Sequence, residues 1–238
     1  MATQPTLINS VTRALHLLDA VGSAESPQPA KKLARATGIP LATTYHLLRT
    51  LVHEGYLHRV PEGYVLGDRV DALSRGAQTR RVRQVLDSLH EDFRAAAYLA
   101  VLDDGEVVLT EIVDSPAAPR TDLWVGLHDA AHATALGKAV LAGLPERSRR
   151  AYLATHPLVD LTPHTVTSPR ALMDEVARSP GLAVDREEYA LGVVCAAVPV
   201  PGHPQALAVS VPERRTGEIL GRAAELRRAA RLVALARG

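Results

Sequence analysis

Cys195 is the chain's one cysteine and its first candidate nucleophile. A cysteine attacks as the thiolate, which requires a nearby base or an electropositive setting. Here it sits inside the apolar run Val193-Val194-Cys195-Ala196-Ala197-Val198, where a cysteine is expected to pack as a small hydrophobe. His128 and His132 stand one helical turn apart in His-Asp-Ala-Ala-His, a spacing that lets two imidazoles share a zinc ion. Metal-assisted hydrolysis of that type wants Glu beside the first histidine as general base; Asp129 is shorter, and the segment is not expected to be one helix. Gly137-Lys138 fails as a phosphate loop, because His132 and Ala139 occupy the positions that need Gly and Ser or Thr. Asp185, Glu187 and Glu188 cluster after a strand and read either as solvated surface or as a polar anchor for a ligand. No metal and no cofactor is expected. An enzyme built on Cys195 or the histidines stays open as a rival.

A second group of residues suits nucleic acid. Thr43, Thr44 and Tyr45 open a predicted helix and can donate to phosphates or base edges, with His46 and Arg49 about one turn on. Lys32 and Arg59 extend the candidate DNA-contacting set. The alternative is that these residues form the wet face of a winged helix that binds protein.

The elements around them are legible. Ser10 is the predicted cap of a helix whose apolar face is Val11, Ala14, Leu15, Leu18 and Val21, stopped by Gly22. Ser23 to Pro29 reads as a loop. Ala30 to Ala36 is a short helix, Thr37-Gly38-Ile39-Pro40 a sharp turn, and Leu41 to Glu54 a helix burying Leu47, Leu48, Leu51 and Val52. Tyr56 to Val60 and Tyr64 to Leu66 form a hairpin. Two helices joined by a Gly-containing turn, then a hairpin, is the order of a winged helix-turn-helix, whose second helix enters the major groove. Val70 to Arg94 is a charged linker helix. Beyond it, Ala97 to Leu102 and Glu106 to Ile112 flank the turn Asp103-Asp104-Gly105. Helices are expected at Thr134 to Leu144, Glu146 to Thr155, Ser168 to Arg178 (capped by Ser168) and Thr216 to Arg237. Strands are expected at Leu182 to Asp185, Val193 to Pro199 and Leu207 to Val211. The fold class is α+β with a mainly antiparallel sheet, divided into residues 1–68, 69–94 and 95–238.

Composition is permissive. The net charge is +1 and 47% of residues are hydrophobic, with bases leading acids over the first third. No run approaches the roughly 18 to 20 apolar residues of a membrane span. The first ten residues lack a secretory layout. With a single cysteine, a cytoplasmic protein without membrane contact is expected.

From Leu7 onward the chain resembles the IclR (isocitrate lyase regulator) family of transcription factors. The resemblance rests on Ser10-Val11-Thr12-Arg13-Ala14-Leu15, on Leu33 through Pro40, on Leu47-Leu48-Arg49-Thr50-Leu51, and on Gly55-Tyr56-Leu57 with Tyr64-Val65-Leu66-Gly67. Further along it rests on His132 through Ala139 and on Asp185 through Ala197 with Pro199. It implies a winged helix joined to a GAF-like effector-binding domain, no catalysis, and a homodimer or tetramer on partly palindromic double-stranded operator DNA. The implied effector is a small organic acid or related metabolite, with repression the favoured direction. By similarity the effector site takes Ala135 and Leu136 at a helix start, Asp185, Cys195 and Ser210. Leu136 and Ala208 make that pocket more apolar than is common in the family.

Overall fold

A computed structural model describes residues 7–122, 125–178 and 181–237. Contacts divide the chain into two compact units, Met1–Ala77 and Gln78–Gly238. The division falls inside a long helix, so each unit is described separately.

The first unit contains α1 (Asn9–Gly22), α2 (Ala30–Thr37), α3 (Leu41–His53), β1 (Leu57–Val60) and β2 (Gly63–Leu66). Its core gathers Leu17, Val21, Leu33, Ile39, Leu48, Leu51 and Leu57. Gly38 ends α2 at φ 68°, the left-handed conformation that glycine adopts without steric cost. Two expectations need correction. Ser10 is not the cap: α1 starts at Asn9, and the Ile8 carbonyl closes the first turn by accepting from Val11 and Thr12. Nor do Val11 and Leu15 face the core; they are 53% and 54% exposed, and Leu17 takes their place inside. The Ser23–Pro29 stretch also does more than connect. Gln28 exchanges both backbone hydrogen bonds with Tyr64, at 3.1 and 3.0 Å, adding a rung to the β1–β2 hairpin. Gly63 permits that approach, since a Cβ there would lie 2.4 Å from the Gln28 carbonyl carbon.

The long helix α4 (Asp68–Phe93) precedes β3 (Ala96–Asp103) and β4 (Glu106–Val113). Asp104 and Gly105 both take positive φ, 45° and 84°, as a two-residue hairpin of this kind requires. Then come α5 (Leu127–Ala130), a 3-10 turn (Ala131–Ala133), α6 (Ala135–Gly143), α7 (Glu146–Thr155) and α8 (Pro169–Arg178). Strands β5 (Ala183–Arg186), β6 (Val193–Pro199) and β7 (Gln205–Pro212) complete a five-stranded antiparallel sheet, order β4-β3-β7-β6-β5. The chain ends in α9 (Thr216–Gly221) and α10 (Ala223–Arg237). One helix was expected from Thr216 to Arg237. It breaks at Arg222, whose guanidinium lies 3.9 Å from the Phe93 ring centroid and donates to the Asp92 carbonyl at 2.8 Å.

The period-two alternation of the strands sorts the sheet into unlike faces. One carries Leu99, Val198, Leu207 and Val209 and packs against Leu86, Leu89 and Phe93 of α4 and Leu226 and Val233 of α10. The other carries Ala96, Ala100, Ala197, Ala206 and Ala208 and receives α6. Small side chains let that helix approach closely, and every residue from Ala135 to Leu141 is buried. Gly137 is the tightest point, for a Cβ there would meet the Ala131 carbonyl oxygen at 2.1 Å. Gly137→Ala is therefore expected to destabilise this unit by about 1–3 kcal/mol, the usual cost of overpacking. Gly217, in α9, has open space around it. Gly217→Ala should stabilise by a few tenths of a kcal/mol up to about 1 kcal/mol. Urea denaturation of the two variants checks both signs.

Candidate functional sites

The nucleic-acid candidate is the open side of α3. Ala42, Tyr45, His46, Arg49 and His53 are exposed along one stripe of the helix, and Thr43 is half-buried at its edge. Thr44 does not belong to this surface. It is 0% exposed, and its hydroxyl donates to the carbonyls of Pro40 (3.2 Å) and Ile39 (3.3 Å). Its role is to lock the start of the helix, not to reach DNA. Pro40 precedes α3 without a side-chain cap, so the amides of the first turn lack helical acceptors and suit a phosphate oxygen. Lys31, Lys32 and Arg35 are exposed on α2, and Arg59 on β1.

The second candidate is a cavity of about 40 Å³ beneath the start of α6. Tyr98, Ala135, Leu136, Asp185, Tyr189 and Cys195 line it, with Leu109, Leu127, Val193 and Ala208 contributing apolar wall. Four of the five residues assigned by similarity thus surround one space. The fifth, Ser210, is not in the wall. It pairs with Cys195 across β6–β7 and shares a 2.8 Å hydrogen bond with the Tyr98 hydroxyl, so it stands behind Tyr98. Tyr98 also accepts from the Thr121 amide at 2.9 Å, and Tyr189 donates to the Val125 carbonyl at 2.6 Å. Neither tyrosine was singled out from the sequence. Tyr98 had a signal in its inward position on β3, and Tyr189 lies within the stretch that carries the resemblance.

Thr134 caps α6 by accepting from the Gly137 amide at 3.0 Å, and Lys138 donates back to the Thr134 carbonyl. The amides of Ala135 and Leu136 have no acceptor among the described residues. Opposite them, Asp185 is 2% exposed. Its Oδ1 accepts from the amides of Glu188 (2.7 Å) and Tyr189 (3.4 Å). Burial raises the Asp185 carboxyl to about 7, against the lowering effect of the Glu188 amide. Burial, with Asp185 beside it, pushes the Cys195 thiol well up, which leaves no thiolate for nucleophilic attack near neutral pH.

Behind the cavity Lys138, 1% exposed, pairs with Glu188 and with Glu175 at 2.8 Å. A phosphate-loop reading of Gly137-Lys138 missed this lysine's role as an anchor for the 185–189 turn. The two histidines separate: the His132 Nε2–H donates to the Val159 carbonyl at 2.9 Å, whereas His128 is exposed beside Asp129. Among the described residues no three ligating side chains come together for a metal, and no helix is long and apolar enough to cross a membrane.

Residues 10–61 match the IclR helix-turn-helix domain, and residues 71–235 match the bacterial transcriptional regulator IclR C-terminal family. The chain belongs to the IclR family. It is therefore a transcriptional regulator and not an enzyme. It is 32% identical over 208 residues to the HTH-type transcriptional regulator XynR of Escherichia coli K12, covering 83% of this chain and 82% of that protein. With the transcriptional repressor IclR of the same organism it shares 31% over 210 residues, 83% and 77% of the two chains. The Thermotoga maritima IclR structure superposes with a TM-score of 0.60 at 24% identity over 97% of this chain and 99% of that one, a likeness of fold. An IclR homologue from Microbacterium hydrocarbonoxydans complexed with 4-hydroxybenzoate gives 0.58 at 26% identity, covering 96% and 98%.

Two outcomes follow for the IclR-type C-terminal unit. Lys138→Met leaves Glu188 buried without its counter-charge and should cost about 3–5 kcal/mol in urea denaturation. The raised Asp185 pKa means the folded state holds a proton that the unfolded chain has lost. Its stabilisation is complete below about pH 4 and is lost as pH rises to about 7. Unfolding midpoints across that window should fall less steeply for Asp185→Asn than for the native chain.

Proposed function

We propose that this chain is a repressor whose affinity for operator DNA is set by a small organic acid held in the cavity beneath α6. Residues 1–68 bind DNA, 69–94 link, and 95–238 bind effector. The observation that carries the reading is the cavity itself, lined both by amides at a helix start that lack acceptors and by the buried Asp185 carboxyl, whose Oδ2 makes no hydrogen bond, among the described residues. A helix start with free amides attracts an anion. A relative solved with 4-hydroxybenzoate and relatives that are repressors point the same way.

DNA recognition is assigned to Tyr45, His46, Arg49 and the amides at the start of α3, with Lys32 and Arg59 contacting phosphates. A homodimer, or a tetramer of two such dimers, presents two reading helices to half-sites about one helical turn apart or a multiple of that. The uncovered apolar residues Val11 and Leu15 on α1, with Ile8 just before it, give such pairing an apolar surface to bury. For release, the acid must bind the operator-free state more tightly than the operator-bound one, since equal affinity for both shifts nothing. A coupling of about 1–3 kcal/mol, or roughly 5- to 150-fold, is the ordinary range.

Fluorescence anisotropy on DNA from upstream of the chain's own gene tests this at two salt concentrations, with and without organic acids. Specific binding should weaken several-fold on adding an active acid. Arg49→Ala should lower affinity and, if it removes one phosphate contact, flatten the log–log salt slope by about 1. Affinity unmoved by every acid defeats the effector half; affinity unmoved by salt and by Arg49→Ala favours a protein-binding winged helix.

A further inference from the structure

We infer that the face formed by α4 and α10 seats a second copy of this chain, turned antiparallel to the first. Gln78 donates to the Arg237 carbonyl at 3.2 Å and Arg222 to the Asp92 carbonyl at 2.8 Å. The two helices therefore run side by side in opposite directions. An open groove of about 670 Å³ lies along them, lined by buried Leu89 and Ala229 and by the more open Val85 and Leu232. Leu232 is 47% exposed, and Leu235, on the same face of α10, is 76% exposed. One exposed leucine is ordinary, but two beside an apolar groove make a patch whose burial is favourable.

Charge decides which occupant fits. The ionisable residues lining the groove are Arg81, Asp92, Glu225 and Arg228, and their charges cancel. An identical face is therefore not repelled, whereas a strongly acidic or basic partner finds no opposing field. Glu225 is bound to Arg222, and Arg228 follows it by one turn of α10. Neither Arg81 nor Asp92 enters a salt bridge among the described residues. These two lie along α4 about 16 Å apart, at 1.5 Å of rise per residue. When two copies meet with α4 antiparallel to α4, Arg81 of each stands opposite Asp92 of the other. The parallel arrangement gathers like charges at both ends. The antiparallel pair is also isologous and closes on itself. It is separate from the pairing proposed on α1, and a tetramer needs two such interfaces.

Sedimentation equilibrium of the full chain tests the face. Leu232→Glu combined with Leu235→Glu should halve the mass of the assembly while leaving the circular-dichroism melt of the folded chain intact. Arg81→Glu sets like charges opposite each other and should weaken association about 10-fold or more. Adding Asp92→Arg to Arg81→Glu restores opposite charges and should recover most of that loss. If the double leucine variant fails to fold, the two charge variants carry the test. Val11→Glu with Leu15→Glu, run alongside, reports on the α1 pairing alone. A native chain that sediments as a single copy overturns the inference, as does a mass that neither the leucine nor the Arg81 variant changes. Dissociation that Asp92→Arg does not rescue overturns the antiparallel seating.

Discussion

The Lys138 ammonium, enclosed between Glu188 and Glu175, is the contact on which the effector unit's geometry depends. Glu188 is held by that lysine at its side chain and by Thr162 and Thr165 at its carbonyl. Once Glu188 is fixed, its amide and that of Tyr189 fix Asp185 Oδ1, and the remaining oxygen is aimed by default. Such a triad is a poor source of net stability, because desolvating the charges offsets most of the attraction. An apolar replacement would fill the space but specify no orientation for the 185–189 turn. The arrangement makes sense as positioning.

Close packing is the second constraint. A helix can lie close on a sheet only where side chains on that face are short, and β3, β6 and β7 present alanine at the contact with α6. The opposite face of the same strands carries Leu and Val and builds a conventional core with α4 and α10. One strand thus serves two purposes by alternation alone. Ala206 and Ala208 shape the cavity side, while Leu207 and Val209 supply burial that anchors the sheet.

The parts of this architecture legible in the sequence are those written in local pattern. β6 was read at its observed bounds, Val193 to Pro199, because a continuous apolar run between turn residues fits a strand covered on both faces. The Asp104-Gly105 turn and the Gly38 stop follow from positive φ. What was not legible depends on contacts distant in sequence. The break at Arg222 comes from Phe93 and Asp92, the added rung at Gln28 from Gly63, and neither leaves a periodic trace. Thr44 was misassigned for a related reason: polarity says that a side chain needs a hydrogen bond, not where it finds one. In a helix, threonine can satisfy itself on the preceding turn and turn inward. Ser210, carried over by similarity, lies in the right row of the sheet, but Tyr98 stands between it and the cavity.

The same enclosure that shapes the cavity explains why a chain containing cysteine, histidines and clustered acids performs no chemistry with them. Nucleophilic catalysis asks for a thiolate, which must be stabilised by nearby positive charge or donors. Cys195 has the reverse, an apolar row and a carboxylate across the strand pair. Asp185 is likewise pushed toward its neutral form. A group that changes protonation near neutrality can act as a general acid or base, but only against a bond placed to break. Asp185 instead accepts from two backbone amides at the wall of a small, mostly apolar cavity.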